Sequence, residues 1–150
     1  NAQRIFIAQS DDAGIYAPAT TDDVLSQLQD LDYARTALIW YQSDSAFADF
    51  AWLARQLAYD LEQTSPAWYD VPLAGITVST LPTTTAKQAV FDKGGNVYLP
   101  EYGTNVTDPG KMVNGQWIDA QVIADFLRSR SAERIAAIKL AAGARGEPRG

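Results

Sequence analysis

Residues 31–42, LDYARTALIWYQ, decide how the rest of the chain can fold. After Arg35 and Thr36 the chain continues from Ala37 to Tyr41 without a charged residue. An uninterrupted run of this kind predicts a strand that is buried on both faces, because a strand with one solvated face would alternate apolar and polar residues. Such a strand needs a helix on each side, and residues 21–30 and 46–60 carry helical patterns.

The segments around this strand predict a parallel α/β arrangement. Residues 4–9 indicate a short buried strand, and residues 21–30 indicate a helix with an acidic first turn that Thr20 or Thr21 caps. Residues 46–60 have apolar side chains at the i, i+3, i+4, i+7 spacing of a core-facing helix. These side chains are Phe47, Phe50, Ala51, Ala54, Leu57, Ala58 and Leu61. The order strand, helix, strand, helix predicts that the first two strands are adjacent and parallel.

The second half of the chain predicts further strands, a hairpin and two helices. Residues 73–78 and 96–102 have the composition of strands. Between them, Thr85 and Gln88 match a capping box for a helix over residues 86–93, which Gly94 ends. Two turn signals predict a polar hairpin near residues 105–117, with its tip at 105–115, before a helix capped by Asp119. The predicted fold is an α/β domain with a mixed, largely parallel sheet and helices on both faces.

Length, composition and charge set the class of protein. A chain of 150 residues that is 47% hydrophobic is expected to form one domain, here residues 1–142. Residues 143–150, rich in Gly and Arg, are expected to be a disordered tail, and the chain is expected to be a fragment of a longer protein. The net charge of −6 disfavours nucleic-acid binding, and no apolar run is long enough to cross a membrane.

Catalytic chemistry is limited by the inventory of side chains. The chain has no Cys and no His, which excludes thiolate and imidazole metal sites and Ser-His-Asp triads. The alternative that remains is a small α/β enzyme or Mg²⁺-binding domain in which Asp11, Asp12 and Asp44 follow the carboxyl ends of adjacent strands. No lysine or Gly-rich phosphate loop accompanies them, so helix capping is the competing interpretation.

Aromatic residues provide the candidate contact sites. Trp40, Trp52 and Trp117 lie in or beside apolar stripes and are expected in the core, whereas Trp68 and Tyr69, beside Pro66 and Pro72, are expected to be exposed. The hairpin tip is expected to be a second exposed feature. The candidate residues for a contact with another subunit are therefore Trp68, Tyr69, Lys111 and Met112. Arg35 is expected to pair with Asp30 or Asp32 at the surface.

Four sequence blocks follow each other along residues 4–140. Together, and in their order, they resemble the contractile tail sheath proteins of myophages. The first precedes the central strand, the second is a Gly-Ile-Thr step, the third is a threonine-capped helix that leads into a strand, and the fourth is a Gly-x-Trp-Ile-Asp helix entry. The residues that carry the resemblance outside the third block are Tyr33, Arg35, Thr36, Gly75, Ile76, Thr77, Gly115, Trp117, Ile118 and Asp119.

The resemblance implies a structural protein of the virion tail, assembled in the host cytoplasm, with no catalytic residue and no cofactor. Its partners would be other sheath subunits, the tail tube protein and the baseplate, and contraction would drive the tube through the host envelope. A related contractile injection machine fits the same sequence. In this family, extended arms add strands to the sheets of neighbours. Because no long arm is visible at either end, the isolated chain is expected to be a monomer.

Overall fold

The computed structural model describes residues 4–43, 45–64 and 66–144. A short 3₁₀ helix, Ala13–Tyr16, follows the first strand. The remaining elements, in chain order, are β1 (Phe6–Ser10), α1 (Val24–Asp30), β2 (Thr36–Trp40), α2 (Ala48–Leu57), α3 (Thr84–Asp92), β3 (Val97–Glu101), β4 (Thr104–Asp108) and α4 (Ile118–Ala144).

Strand β2 lies at the centre of the molecule, and all five of its residues are buried. On one edge it pairs in parallel with β1, in a register that runs from Phe6 opposite Thr36 to Ser10 opposite Trp40. On the other edge Trp40 N donates to Asn96 O at 2.7 Å, which starts a parallel bridge toward β3. The predicted parallel pairing of the first two strands is confirmed.

The two faces of β2 belong to two different apolar clusters. Ala37, Ile39 and Tyr41 pack in one cluster with Trp52 of α2. Leu38 and Trp40 pack in the other, together with residues of α1 and α3. Alternate side chains of a strand point to opposite faces, so both faces of this strand are covered. The double-sided burial predicted from the uncharged run is confirmed.

Strands β3 and β4 form an antiparallel hairpin, in which Val97 pairs with Asp108 and Glu101 with Thr104. Its turn contains Tyr102 and Gly103, which both have positive φ, 50° and 85°. The structure therefore has one parallel and one antiparallel strand pair: the mixed α/β class is confirmed, and a largely parallel sheet is not. The predicted turn at 107–110 was misplaced because residues 104–108 are a strand.

The buried side chain of Asn96 connects β2 to the loop that follows the hairpin. Its Nδ2 donates to Leu38 O at 3.0 Å and to Lys111 O at 2.8 Å. Its Oδ1 accepts from Gly110 N at 2.9 Å and from Lys111 N at 2.8 Å. One amide thus satisfies four backbone groups, which fixes the loop that carries Lys111 against the sheet.

Several local predictions were wrong at the boundaries of elements. Residues 73–78 are irregular rather than a strand, since Gly75 has φ 75° and Leu73 N donates to the Tyr98 hydroxyl at 3.1 Å instead of to a ladder. Asp23 caps α1, in place of the predicted threonine at position 20 or 21. Thr83 caps α3 by accepting from Ala86 N, so the capping box was placed two residues too late.

Helix α2 is rotated about its own axis, so that it packs against the core with a different face from the one predicted. Its buried residues are Ala48, Trp52 and Gln56, whereas Phe50 and Leu57 are 71% and 76% exposed. The large indole of Trp52 fills the core. The side chain of Gln9 in β1 fixes this rotation, because its Oε1 accepts from Ala48 N at 2.7 Å at the first turn of the helix.

Helix α4 has 27 residues, which makes it about 40 Å long at 1.5 Å per residue. Its first turns lie against the body, where Asp125 pairs with Arg35, so the predicted partners of that arginine were wrong. Every residue from 128 to 141 is exposed. The helix continues to Ala144, two residues past the predicted domain boundary, and residues 145–150 lie outside the described part of the chain.

Candidate interaction surfaces

Two of the four predicted contact residues are buried. Trp68 is 5% exposed, and its ring packs edge-on against Trp52 with 5.4 Å between the ring centroids. Its carbonyl oxygen accepts from the indole Nε1 of Trp52 at 3.2 Å. Met112 is fully buried in the same apolar cluster. The prediction that these two side chains are available to a partner was wrong, because flanking prolines and turns indicate irregular backbone but not exposure.

The other two predicted residues, Tyr69 and Lys111, meet at the surface, and Trp117 joins them. The Tyr69 and Trp117 rings lie edge to face with 6.1 Å between centroids, and Lys111 Nζ lies 4.9 Å from the centre of the Trp117 ring. Trp117 was predicted to be in the core but is 46% exposed. We call Tyr69, Lys111 and Trp117 the aromatic patch.

Backbone contacts bring the two segments of the aromatic patch together. Asp70 N donates to Thr107 O at 2.8 Å, and Thr107 N donates to Val71 O at 3.1 Å, so the chain after Tyr69 runs along β4. Gly110 has φ 78°, and a Cβ there would come within 2.9 Å of the Trp68 carbonyl carbon. Only glycine permits this approach. The patch therefore sits on a rigid part of the fold.

A second exposed surface lies on α2 and is formed by residues that were predicted to face the core. Their spacing of i, i+3, i+7 and i+10 is the heptad spacing of helix-packing seams. All four side chains are exposed in the structure. We call these residues the α2 stripe: Phe47, Phe50, Ala54 and Leu57. The sequence pattern correctly identified an apolar face of α2, but it did not show that the opposite face packs on the sheet.

An apolar cavity of about 250 Å³ adjoins the α2 stripe. Its lining residues are Ile5, Ile7, Leu53, Gln56, Leu57, Tyr59, Leu61, Pro66, Trp68 and Val122. Two buried polar atoms of this lining, Gln56 Oε1 and Trp68 Nε1, have no hydrogen-bond partner within the described residues. One is an acceptor and the other is a donor. The sequence alone did not indicate that either polar atom would be buried without a hydrogen-bond partner.

Of the three carboxylates of the alternative metal site, Asp12 caps the 3₁₀ helix Ala13–Tyr16. Asp12 Oδ1 accepts from Gly14 N at 2.8 Å, and Asp12 Oδ2 accepts from Val24 N at 3.1 Å. Asp11 is exposed, and Asp44 lies outside the described residues. Within residues 4–43, 45–64 and 66–144, no three acidic side chains come together in a way that could hold a metal ion.

The most buried ion pair lies between Asp23 and Lys93. Lys93 Nζ donates to Asp23 Oδ2 at 2.8 Å and to the carbonyl oxygens of Gly14 and Ala17 at 2.8 and 3.0 Å. Burial by itself would raise the pKa of the Asp23 carboxyl, but hydrogen bonds from Lys93 and Ser26, with the charge of the lysine, hold the pKa below its ordinary value of 3.8. The pair joins α1 to the residue after α3 and is structural.

Comparison of the chain with family models, with curated proteins and with solved structures finds no match. In the part of the chain that the structure describes, no helix is both long enough and apolar enough to span a membrane.

Proposed function

We propose that this chain forms the body of a contractile tail sheath subunit, a structural protein that binds copies of itself. The observation that carries the proposal is the exposure of the α2 stripe on a body that has two buried apolar clusters of its own. Phe50 and Leu57 are more than two-thirds exposed although both have apolar side chains of the size that cores use. Contiguous apolar surface of this kind is typical of protein interfaces.

Burial of these side chains would supply substantial binding energy. Covering a Phe or Leu side chain contributes about 1.5–3 kcal/mol, so burial of the α2 stripe would offset part of the cost of association. The aromatic patch is a second surface of suitable composition, because Tyr and Trp are enriched at the centres of interfaces. The cation–π contact of Lys111 orients Trp117 without covering it. A subunit that contacts several neighbours needs more than one such surface.

The resemblance to sheath proteins supports the same proposal independently of the exposed surfaces. Its sequence blocks lie where the chain enters or leaves the elements around β2. Tyr33 to Thr36 lead into the strand, the Thr77 carbonyl accepts from the Tyr41 hydroxyl at 3.0 Å, and Gly115 to Asp119 form the turn into α4. These contacts and borders belong to the architecture of the body, as the proposal requires.

In this role the subunit would polymerise around the tail tube and rearrange during contraction to drive the tube through the host envelope. Its partners would be neighbouring sheath subunits, the tube protein and the baseplate, in the virion tail. The body needs no cofactor for this function. A subunit of a related contractile injection machine would use the same surfaces.

Negative-stain electron microscopy of the full-length protein tests the proposal. We expect tubular polysheath from the unaltered protein. The double variant Phe50→Ser and Leu57→Ser should remain folded but give few or no tubes, because it removes two of the three large side chains of the α2 stripe. Tyr102→Ser is the matched control, since Tyr102 is a fully exposed aromatic in the hairpin turn and outside both surfaces. A folded full-length protein that forms no ordered assembly, or a double variant that forms tubes normally, would contradict the proposal.

A further inference from the structure

Strand β1 lies at an edge of the sheet, and its only strand partner among the described residues is β2. The other strands are bonded on both sides. Strand β2 bridges to Asn96 on its far edge, and the backbone of residues 70 and 71 bonds along β4. An open edge is a template for pairing with another chain. Strand β1 therefore offers a place where the sheet can be extended.

Two residues of β1 present their backbone groups at this open edge. Phe6 N donates to Arg35 O at 2.9 Å, so residues 6, 8 and 10 bond toward β2, since the bonding groups alternate in direction along a strand. The N–H and C=O groups of Ile7 and Gln9 consequently point outward. No backbone group of the other described segments bonds to them. The edge therefore carries two donors and two acceptors in a regular row.

The strand lacks the features that usually protect an open edge from other chains. Its sequence, FIAQS, contains no charged residue and no proline. Its register with β2 is continuous from one end to the other, without a bulge. Charges, prolines and bulges are the common means of preventing edge pairing. In addition, Phe6 is 63% exposed, so a strand added beside it would cover apolar surface.

The two ends of β1 carry opposite charges. Arg4 precedes the strand, whereas Asp11 and Asp12 follow it. When two copies of the strand run antiparallel, the basic end of each lies beside the acidic end of the other. A parallel pair would bring like charges together at both ends, which is unfavourable. The charge pattern therefore matches a second copy of the same strand in the antiparallel direction.

We propose that two copies of this chain pair through β1, antiparallel, about a two-fold axis at Ala8. This register places Ile7 of each copy opposite Gln9 of the other. Because both residues direct their backbone groups outward, each of these two pairs exchanges two hydrogen bonds. The same patch serves both copies, as a two-fold interface requires. The result is one continuous sheet with the strand order β2, β1, β1, β2.

The paired state goes beyond the proposed function and does not depend on it. It joins the same strand of two bodies, and no extended arm takes part. A two-fold contact closes on itself, so it cannot by itself propagate a tube. It predicts a dimer of the isolated chain, where the sequence led to the expectation of a monomer.

Disulfide cross-linking tests the register, because the chain has no native Cys. In the proposed pair the two Ala8 residues are directly opposite, with about 4.5 Å between their Cα atoms, which a disulfide can bridge. The two Phe6 residues are offset by four positions at about 3.3 Å each, roughly 13 Å, which a disulfide cannot bridge. Under mild oxidation we expect roughly ten-fold more covalent dimer from Ala8→Cys than from Phe6→Cys, although position 6 is the more exposed.

A mixed sample provides the matched control for Phe6→Cys. The proposed register places Phe6 of one copy opposite Ser10 of the other. Chains carrying Phe6→Cys, mixed with chains carrying Ser10→Cys, should therefore form a covalent heterodimer, while neither variant alone should form much homodimer. Sedimentation velocity of the unaltered chain should show a dimer, and circular dichroism checks that each variant is folded.

Each outcome decides between specific alternatives. Equal yields from Ala8→Cys and Phe6→Cys would overturn the inference, and so would an unaltered chain that sediments only as a monomer. A dimer whose cross-links follow another register or another surface would count against it as well. Tubes of the full-length protein without the cross-link at position 8 would remove the paired state and leave the sheath proposal intact. Cross-linking at position 8 without tubes would support the paired state and count against the sheath role.

Discussion

Strand β2 and the outer part of α4, residues 128–143, which we call the arm, place their apolar residues in opposite environments. Every residue of β2 is buried between two apolar clusters, whereas every residue from 128 to 141 is exposed. The body therefore folds on its own core, and the arm adds little to that core. The difference teaches that apolar residues of this chain are of two kinds: those around β2 stabilise the fold, whereas those of the α2 stripe and of residues 128–141 are left exposed by it.

The largest expected effect comes from removing the indole that fills the core beneath α2. Trp52→Ala should lower the free energy of unfolding by about 3–5 kcal/mol, because it leaves a cavity next to β2 and removes one of the two hydrogen bonds to the Trp68 carbonyl oxygen. Trp117→Ala should lower it by less than about 1 kcal/mol, since that ring is half exposed and contributes to a surface patch. Urea unfolding followed by far-UV circular dichroism measures both. Equal losses in the two variants would contradict the division between core and contact surface.

A smaller effect, with a defined pH dependence, is expected at the buried ion pair on one side of β2. Asp23→Asn keeps the helix cap but removes the charge opposite Lys93, and it should cost about 1.5–3 kcal/mol at pH 7. The folded-state pKa of Asp23 is lowered, so its stabilising contribution is present above the ordinary pKa of 3.8 and is lost as the pH falls through the folded pKa.

Denaturant unfolding of the unaltered chain and of Asp23→Asn between pH 2 and pH 7 tests the direction of this pH dependence. The difference in stability between the two proteins should be largest at neutral pH and should shrink below about pH 4, as Asp23 becomes protonated. A difference that stays constant across this range would show that the pair contributes through packing and not through charge.

The smallest effects are expected in the arm. Ile135→Ala and Leu140→Ala should each change the free energy of unfolding by less than about 0.5 kcal/mol, because both side chains are exposed. Hydrogen exchange should be near the unprotected rate in the arm and slowest in β2. Strong protection of the arm amides in a monomer would show that the arm is already packed, and the comparison would no longer hold.

The sequence was sufficient to predict the centre of the fold. The uncharged run from Ala37 to Tyr41 indicates a strand that is covered on both faces. This prediction needs only residues that are adjacent in the chain. The parallel pairing of β1 with β2 follows from the order of elements. Gly94 was also placed correctly, with φ 77° at the end of α3, because its role is local.

The rotation of α2 and the exposure of the tryptophans depend on distant residues and could not be predicted in the same way. Both faces of α2 carry apolar side chains, and the choice between them depends on Gln9, whose hydrogen bond to Ala48 spans 39 positions. Trp68 is buried and Trp117 exposed because the segment after residue 69 runs along β4. These long-range contacts cannot be recognised in the local sequence. Of the four predicted contact residues, only Tyr69 and Lys111 therefore lie at the surface.

The position of β2 between two partners that are far apart in the chain affects how the protein can be made. The Asn96 side chain, which bonds Leu38 O, comes 58 residues later. At 5–20 residues per second, a ribosome needs roughly 3–12 s to synthesise that interval, during which one edge of the most apolar strand has no partner. When many chains are translated at once, this waiting time is the period in which nascent chains can aggregate through that edge. Slower elongation or lower temperature should therefore change the soluble yield more than changes at the arm do.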